Sequence, residues 1–134
     1  MTSQPDGTYA PETDGQPDPG EVVWAWVPYE DDPAQGKDRP VLVIGTEAGQ
    51  DGAVLLHCLV MTSKDHDRDE AQEAAAGRRW MDVGTGGWDA RGRPSEVRLN
   101  RLLVLPAAEV RREGAVLDRE VYEAVAAARA ALSE

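Results

Sequence analysis

The sequence predicts a mainly β domain with one or two helices, a small, partly open barrel that ends in a C-terminal helix. Three observations carry this. From Glu21 onward, short apolar runs rich in Val and Leu alternate with Pro and Gly punctuation. One run, residues 53–61, is apolar on both faces, the pattern of a strand in the middle of a sheet. Near the C-terminus, Leu117, Val121, Val125, Ala128 and Leu132 recur on one helical face.

Residues 1–20 are polar and broken by Pro5, Gly7, Pro11, Gly15, Pro17, Pro19 and Gly20, too poor in apolar surface to offset the entropy of ordering. They read as a disordered acidic tail before a single domain, 21–134. Residues 22–27 form the first strand, with a hard stop at Pro28, and 28–39 read as a mobile loop. Pro40 opens a strand over 41–44, closed by Gly45, and Gly49 and Gly52 turn the chain into the central strand. Residues 65–76 read as a short helix with acids in its first turn and Gly77 as its C-cap. A strand over 79–83 and a turn at Gly84-Thr85-Gly86-Gly87 follow. Residues 95–99 and 102–105 are two strands or one bent strand, and Asp118 caps the final helix.

At 134 residues the chain suits one domain, long enough to bury a core without disulfides. Its 25 acids and 14 basic residues give a net charge of -11, unevenly spread: residues 74–112 hold 8 Arg against 4 acids. The overall sign argues against nonspecific nucleic-acid binding; the Arg-rich third leaves a local anion site open. No apolar run approaches the ~20 residues of a membrane span. The first 20 residues carry no cation and no apolar stretch, unlike a secretory signal. A single cysteine, Cys58, excludes an intramolecular disulfide and a cysteine-only zinc site. The expectation is a soluble cytoplasmic protein with no membrane association and no metal or cofactor.

Two places combine residues suited to phosphate chemistry. In Gly36-Lys37-Asp38-Arg39-Pro40, the proline fixes the backbone and holds Arg39 extended at the start of a buried strand. A guanidinium there can grip a phosphate with two parallel hydrogen bonds, or pair with Asp38 or Glu30. At the end of the third strand, Thr62, Ser63 and Lys64 offer two hydroxyls and an amine. They can orient a phosphate or ribose hydroxyl, or Thr62 can cap the next helix with Asp65 as its capping-box acid.

Gly20-Glu21-Val22-Val23-Trp24 resembles the opening strand of the MazF/PemK (Kid) family of toxin endoribonucleases. Arg39-Pro40-Val41-Leu42-Val43-Ile44 is similar to that family's second strand and Thr62-Ser63 to the pair ending its third. Ser95-Glu96-Val97-Arg98-Leu99 resembles a later strand, and Gly114-x-x-Leu117 the approach to the last helix. The likeness runs from about Gly20 to Leu132.

The resemblance implies an SH3-like barrel, a homodimer, and metal-independent cleavage of single-stranded RNA, with a cognate antitoxin as partner. The RNA's own 2′-hydroxyl would attack the adjacent phosphorus, leaving the protein to position the backbone and stabilise developing charge. Arg39 matches the family's catalytic arginine and Thr62 its catalytic threonine; Lys37, Ser63 and Arg98 are the implied substrate contacts. In the PemK branch an Arg and an Asp act as a pair on the later strand. Here Arg98 stands at the first place and Asn100, which cannot accept a proton as a carboxylate does, at the second. Glu30, Asp31 and Asp32 make the 28–38 loop more acidic than an RNA-facing loop should be. Asn100 and the acidic balance favour the alternative, a non-catalytic barrel of the same architecture that binds a protein or nucleic acid, as the related CcdB-type barrels bind a topoisomerase; Arg39 and Thr62 oppose it.

Other signals are given bland readings. Asp65, Asp67 and Asp69 alternate like a calcium loop, but the required Gly and final Glu are Glu70 and Ala76, leaving a solvated helix start. His66 reads as a surface histidine near Thr62, with proton transfer as the alternative; His57 and Cys58 read as packing residues of the central strand. Arg91-Gly92-Arg93-Pro94 spells an AT-hook core yet is flanked by Asp89 and Glu96, and reads as a hairpin loop whose arginines can touch RNA backbone. Trp24 and Trp26 share a strand face, while Trp80 and Trp88 lie near glycine-rich turns. Core packing is the default for most of the four, and one is available for base stacking.

Overall fold

The computed structural model describes residues 17–63, 75 and 77–132. Among the described residues the chain forms six strands, β1 (Glu21–Tyr29), β2 (Asp32–Ala48), β3 (Val54–Ser63), β4 (Trp80–Gly84), β5 (Ser95–Pro106) and β6 (Arg111–Val116), and one α-helix, α1 (Arg119–Leu132). Short 3₁₀ turns, Gln50–Gly52 and Ala107–Glu109, join β2 to β3 and β5 to β6. The strands make one antiparallel sheet in the order β4-β5-β3-β2-β1-β6. The fold is the expected one, a mainly β half-barrel with a single C-terminal helix.

The two-faced apolarity of β3 places it between β5 and β2. Leu59 and Met61 enter one core with Val22, Leu42, Val97 and Leu99, which Tyr122 and Val125 of α1 cover. Cys58, Leu56 and Val60 enter a second core on the other face with Val23, Val27, Val41 and Val43. Each such side chain, fully buried, contributes about 1.5–3 kcal/mol by area. Burial pushes the Cys58 thiol up to about 12, which leaves it an inert packing group. His57, partly exposed, pairs with Glu47.

Both long strands extend beyond their predicted ends. Pro28 does not stop β1: the strand continues to Tyr29, and β2 begins at Asp32, so most of the expected mobile loop is a hairpin with Pro28 opposite Gly36. Proline is tolerated because β6 reaches along β1 only as far as Trp24↔Arg111, leaving Pro28 on an edge with no second ladder to serve. The hairpin is polar because it projects into solvent, with Asp32 to Gln35 all exposed.

β2 carries one extra residue. It pairs with β3 as Gly45↔His57 and Val43↔Cys58, so Ile44 is a bulge. Its carbonyl accepts the Tyr122 hydroxyl from α1 at 3.4 Å. β5 is the single bent strand, with a larger break: Leu102 faces Leu59 and Val97 faces Met61, so residues 98–101 bow out of the ladder. β4 pairs with the first part of β5, from Gly84↔Ser95 to Trp80↔Arg98 at the start of the bow.

β6 was not expected, since Arg111-Arg112-Glu113-Gly114-Ala115-Val116 holds little apolar sequence. It is held by β1 and by a forked ion pair in which Arg112 donates to both carboxylate oxygens of buried Glu21, at 2.7 and 3.0 Å. Residues just before Glu21 also belong to the packed fold. Pro17, Pro19 and Gly20 are buried, and Gly20 bonds to both Val43 and Leu117.

Asp118 precedes α1 and its carbonyl accepts the first intrahelical bond, from Tyr122. Leu117 and Val125 of the predicted face are buried and Val121 and Ala128 pack against them, while Leu132 is exposed. Of the expected helix over 65–76, Ala75 is described and is helical; His66 and the alternating aspartates lie outside the described residues. No helix among the described residues is long and apolar enough to cross a membrane.

Candidate active site

Arg39 and Thr62 line one hollow because of the strand register. β2 and β3 pair as far as Val41↔Val60, and the same register continued two residues places Arg39 opposite Thr62. The strands part there instead. Pro40 has no N–H to offer either neighbour. β2 stays with β1 through Trp24↔Pro40 and Ala25↔Arg39, while β3 stays with β5 through Thr62↔Glu96 and Ser63↔Ser95. A hollow of about 220 Å³ opens in this fork.

Its floor is Trp24, Pro40, Met61 and Trp88, and its polar wall is Thr62 and Ser95; Lys37, Asp38, Arg39, Asp89 and Arg93 complete it. Trp88, 3% exposed, locks the floor. Its ring N–H donates to the Ser95 hydroxyl at 3.0 Å, and its carbonyl accepts from the Trp24 ring N–H at 3.2 Å. Gly86 lies flat on the Trp88 ring, where a Cβ would come within 2.1 Å. That explains a glycine in this turn beyond any turn preference.

The three cations of the hollow face two carboxylates, and both acids are engaged by arginine. Asp89 accepts from Arg93 at 2.9 Å and from the Arg91 backbone at 2.8 Å; Asp38 accepts from Arg111 of β6 at 3.1 Å. With Arg111 at the margin, the surroundings carry an excess of positive charge despite the acidic chain. That suits an anion about the size of a phosphodiester.

Of the residues singled out from the sequence, Arg39, Thr62 and Lys37 are brought together. Ser63 ends β3 opposite Ser95, one position beyond Thr62. Arg98 is elsewhere. It is 6% exposed and donates to both Glu30 oxygens, at 2.9 and 3.1 Å, and to the Asn100 amide oxygen at 2.6 Å, with its guanidinium 5.9 Å from the centre of the Trp80 ring. The hydrogen bond from Arg98 is the main reason the Glu30 carboxyl is held below its ordinary range, with Arg78 and Arg101 adding to it. Asn100 is a clip: its oxygen also accepts from the Arg79 backbone, and its amide donates to the Gly77 carbonyl.

Sequence reasoning missed Asp38, Asp89, Trp88 and Ser95 as parts of the hollow. Arg93 was visible only as one of two loop arginines able to touch RNA. Gly92, at φ +67°, makes the turn between Asp89 and Arg93.

The family model for the PemK-like, MazF-like toxin of type II toxin–antitoxin systems matches residues 18–132. The chain belongs to that family. No curated protein and no solved structure gives a significant match to it.

Proposed function

We propose that the protein is the endoribonuclease toxin of a type II pair, cleaving single-stranded RNA at the fork between β2 and β3, as a homodimer and under the control of a cognate antitoxin. One observation carries this reading: Arg39 and Thr62, distant in sequence, line one hollow of phosphodiester size.

In this reading the 2′-oxygen of the substrate attacks the adjacent phosphorus. The O2′–P bond forms as the P–O5′ bond breaks; the 2′-hydroxyl gives up one proton and the departing 5′-oxygen takes one, leaving a cyclic phosphate and a 5′-hydroxyl. Arg39 donates to the non-bridging oxygens, where negative charge grows in the transition state. Thr62 orients the phosphate or the attacking hydroxyl, with Ser63 beside it in sequence. Lys37 and Arg93 hold the flanking backbone. Arg39 stays protonated and cannot take the 2′-proton; Asp38 and Asp89 are the carboxylates of the hollow that can. Arg98, engaged by Glu30, supports the hairpin. Since the substrate brings its own nucleophile, the chemistry asks nothing of a metal.

Purified protein is therefore expected to cut single-stranded RNA in excess EDTA and leave a cyclic phosphate end, with cleavage all but lost in Arg39→Ala. Cleavage that needs a divalent ion counts against the mechanism. A folded protein that binds RNA without cutting it is the non-catalytic barrel instead.

A further inference from the structure

We infer that Trp26 forms a stacking platform for a nucleobase of the strand whose phosphate occupies the hollow, a subsite that rests on the RNA-cleavage reading. The four tryptophans have separate fates. Trp88 is buried and Trp24 is fixed to its carbonyl in the floor. Trp80 lies beside the Arg98 guanidinium. Trp26 alone among them is an exposed large hydrophobic residue, at 51%.

Its place follows from register. On β1, Trp26 shares a sheet face with Trp24, roughly 7 Å further along the strand. Its cross-strand partner is Asp38, which lines the hollow, as do Trp24 and its partner Pro40. On the other side, β6 begins opposite Trp24 with Arg111, so among the described residues no strand flanks Trp26 there. The ring is therefore open to solvent while standing next to the hollow.

The ring is also braced from beneath. A Cβ at Gly36 would lie 2.8 Å from its Cζ2 and 2.3 Å from the Val27 carbonyl, so only glycine lets the ring lie this close to the hairpin backbone. Arg111, half exposed and opposite Trp24, reaches Asp38, the cross-strand partner of Trp26, while Lys37 and Arg39 line the hollow from the same hairpin. An exposed aromatic plane next to a cationic backbone channel is the arrangement that holds single-stranded nucleic acid without base-edge readout.

The test uses the full chain and two 8-nucleotide single-stranded DNA probes, which lack the 2′-hydroxyl and so cannot be cut: one of mixed bases, one of abasic sugar–phosphate. The wild type is expected to prefer the base-bearing probe. Trp26→Ala should erase that preference, weakening the base-bearing probe by roughly 5- to 100-fold with the abasic probe unchanged, and Trp26→Tyr should keep most of it. Equal binding of the base-bearing probe by wild type and Trp26→Ala overturns the subsite while leaving RNA cleavage by the wild type standing. A Trp26→Ala chain that sediments as a smaller species with unaltered probe binding makes Trp26 a subunit contact and also overturns it. If the wild type neither binds the probes nor cuts RNA, the nuclease reading fails, and the subsite with it.

Discussion

Arg39 lines a solvent-open hollow at the parting of β2 and β3, whereas Arg98 sits at the bowed segment of β5, nearly sealed, with Glu30 and Asn100 around its guanidinium. Both arise where a strand leaves its ladder, and both look alike in sequence: an arginine in or beside an apolar run. What separates them is the company that the third dimension supplies. The hairpin tip, whose acids read as hostile to RNA, sends Glu30 to Arg98 and Arg78, away from the hollow. An acidic loop can thus serve the fold and leave the site cationic.

The comparison breaks most sharply on activity. Arg39→Ala is expected to lower RNA cleavage by about 10²–10³-fold with little change in urea midpoint. Arg98→Ala should do the reverse, retaining cleavage per folded molecule while losing stability. Loss of cleavage in folded Arg98→Ala protein would erase the distinction drawn here. Because Glu30 is 44% exposed, the stability cost falls below that of a sealed ion pair, at about 2 kcal/mol, readable in urea unfolding.

Asn100→Asp sharpens the same contrast. It replaces the donor to the Gly77 carbonyl with a carboxylate oxygen, and should cost about 1–2 kcal/mol of unfolding free energy. A gain in stability would mean that Arg98 needs a second acid more than the 77–79 segment needs its clip.

The smallest effect is in pH. The folded Glu30 carboxyl ionises more readily than the unfolded one. Its contribution is therefore present above the unfolded value, near 4.5, and lost as pH falls through the folded value. Acid titration of stability should show a shallower decline in Arg98→Ala than in wild type; identical slopes would discount the pair.

Much of the fold was legible because its signals are local. The two-faced apolarity of 53–61 and the spacing from Leu117 to Ala128 state their surroundings directly. β6 was not legible because pairing with β1 and the Arg112–Glu21 fork hold it, neither visible within six residues. Pro28 misled because whether a proline ends a strand depends on a neighbour, and that neighbour stops at Arg111. At the site, Arg39 and Thr62 could be marked as candidates from residue type and resemblance. Trp88, Asp89 and Ser95 could not, since their roles come from the Gly86 stack and the Trp24 bond. Asn100 read as a defect in an acid–base pair, and its job as a clip depends on where Gly77 and Arg79 pass.

Ile44 decides more than its own packing. Were it matched with Cys58 in an unbroken ladder, the offset between the strands would change by one. The Arg39 side chain would then stand across from Ser63, leaving Thr62 opposite Pro40 on the other pleat. Which hydroxyl stands across from the guanidinium is thus set five positions further along the chain, by a residue outside the lining of the hollow. Engineering aimed at the proposed pairing of Arg39 and Thr62 would do well to leave that single surplus residue alone.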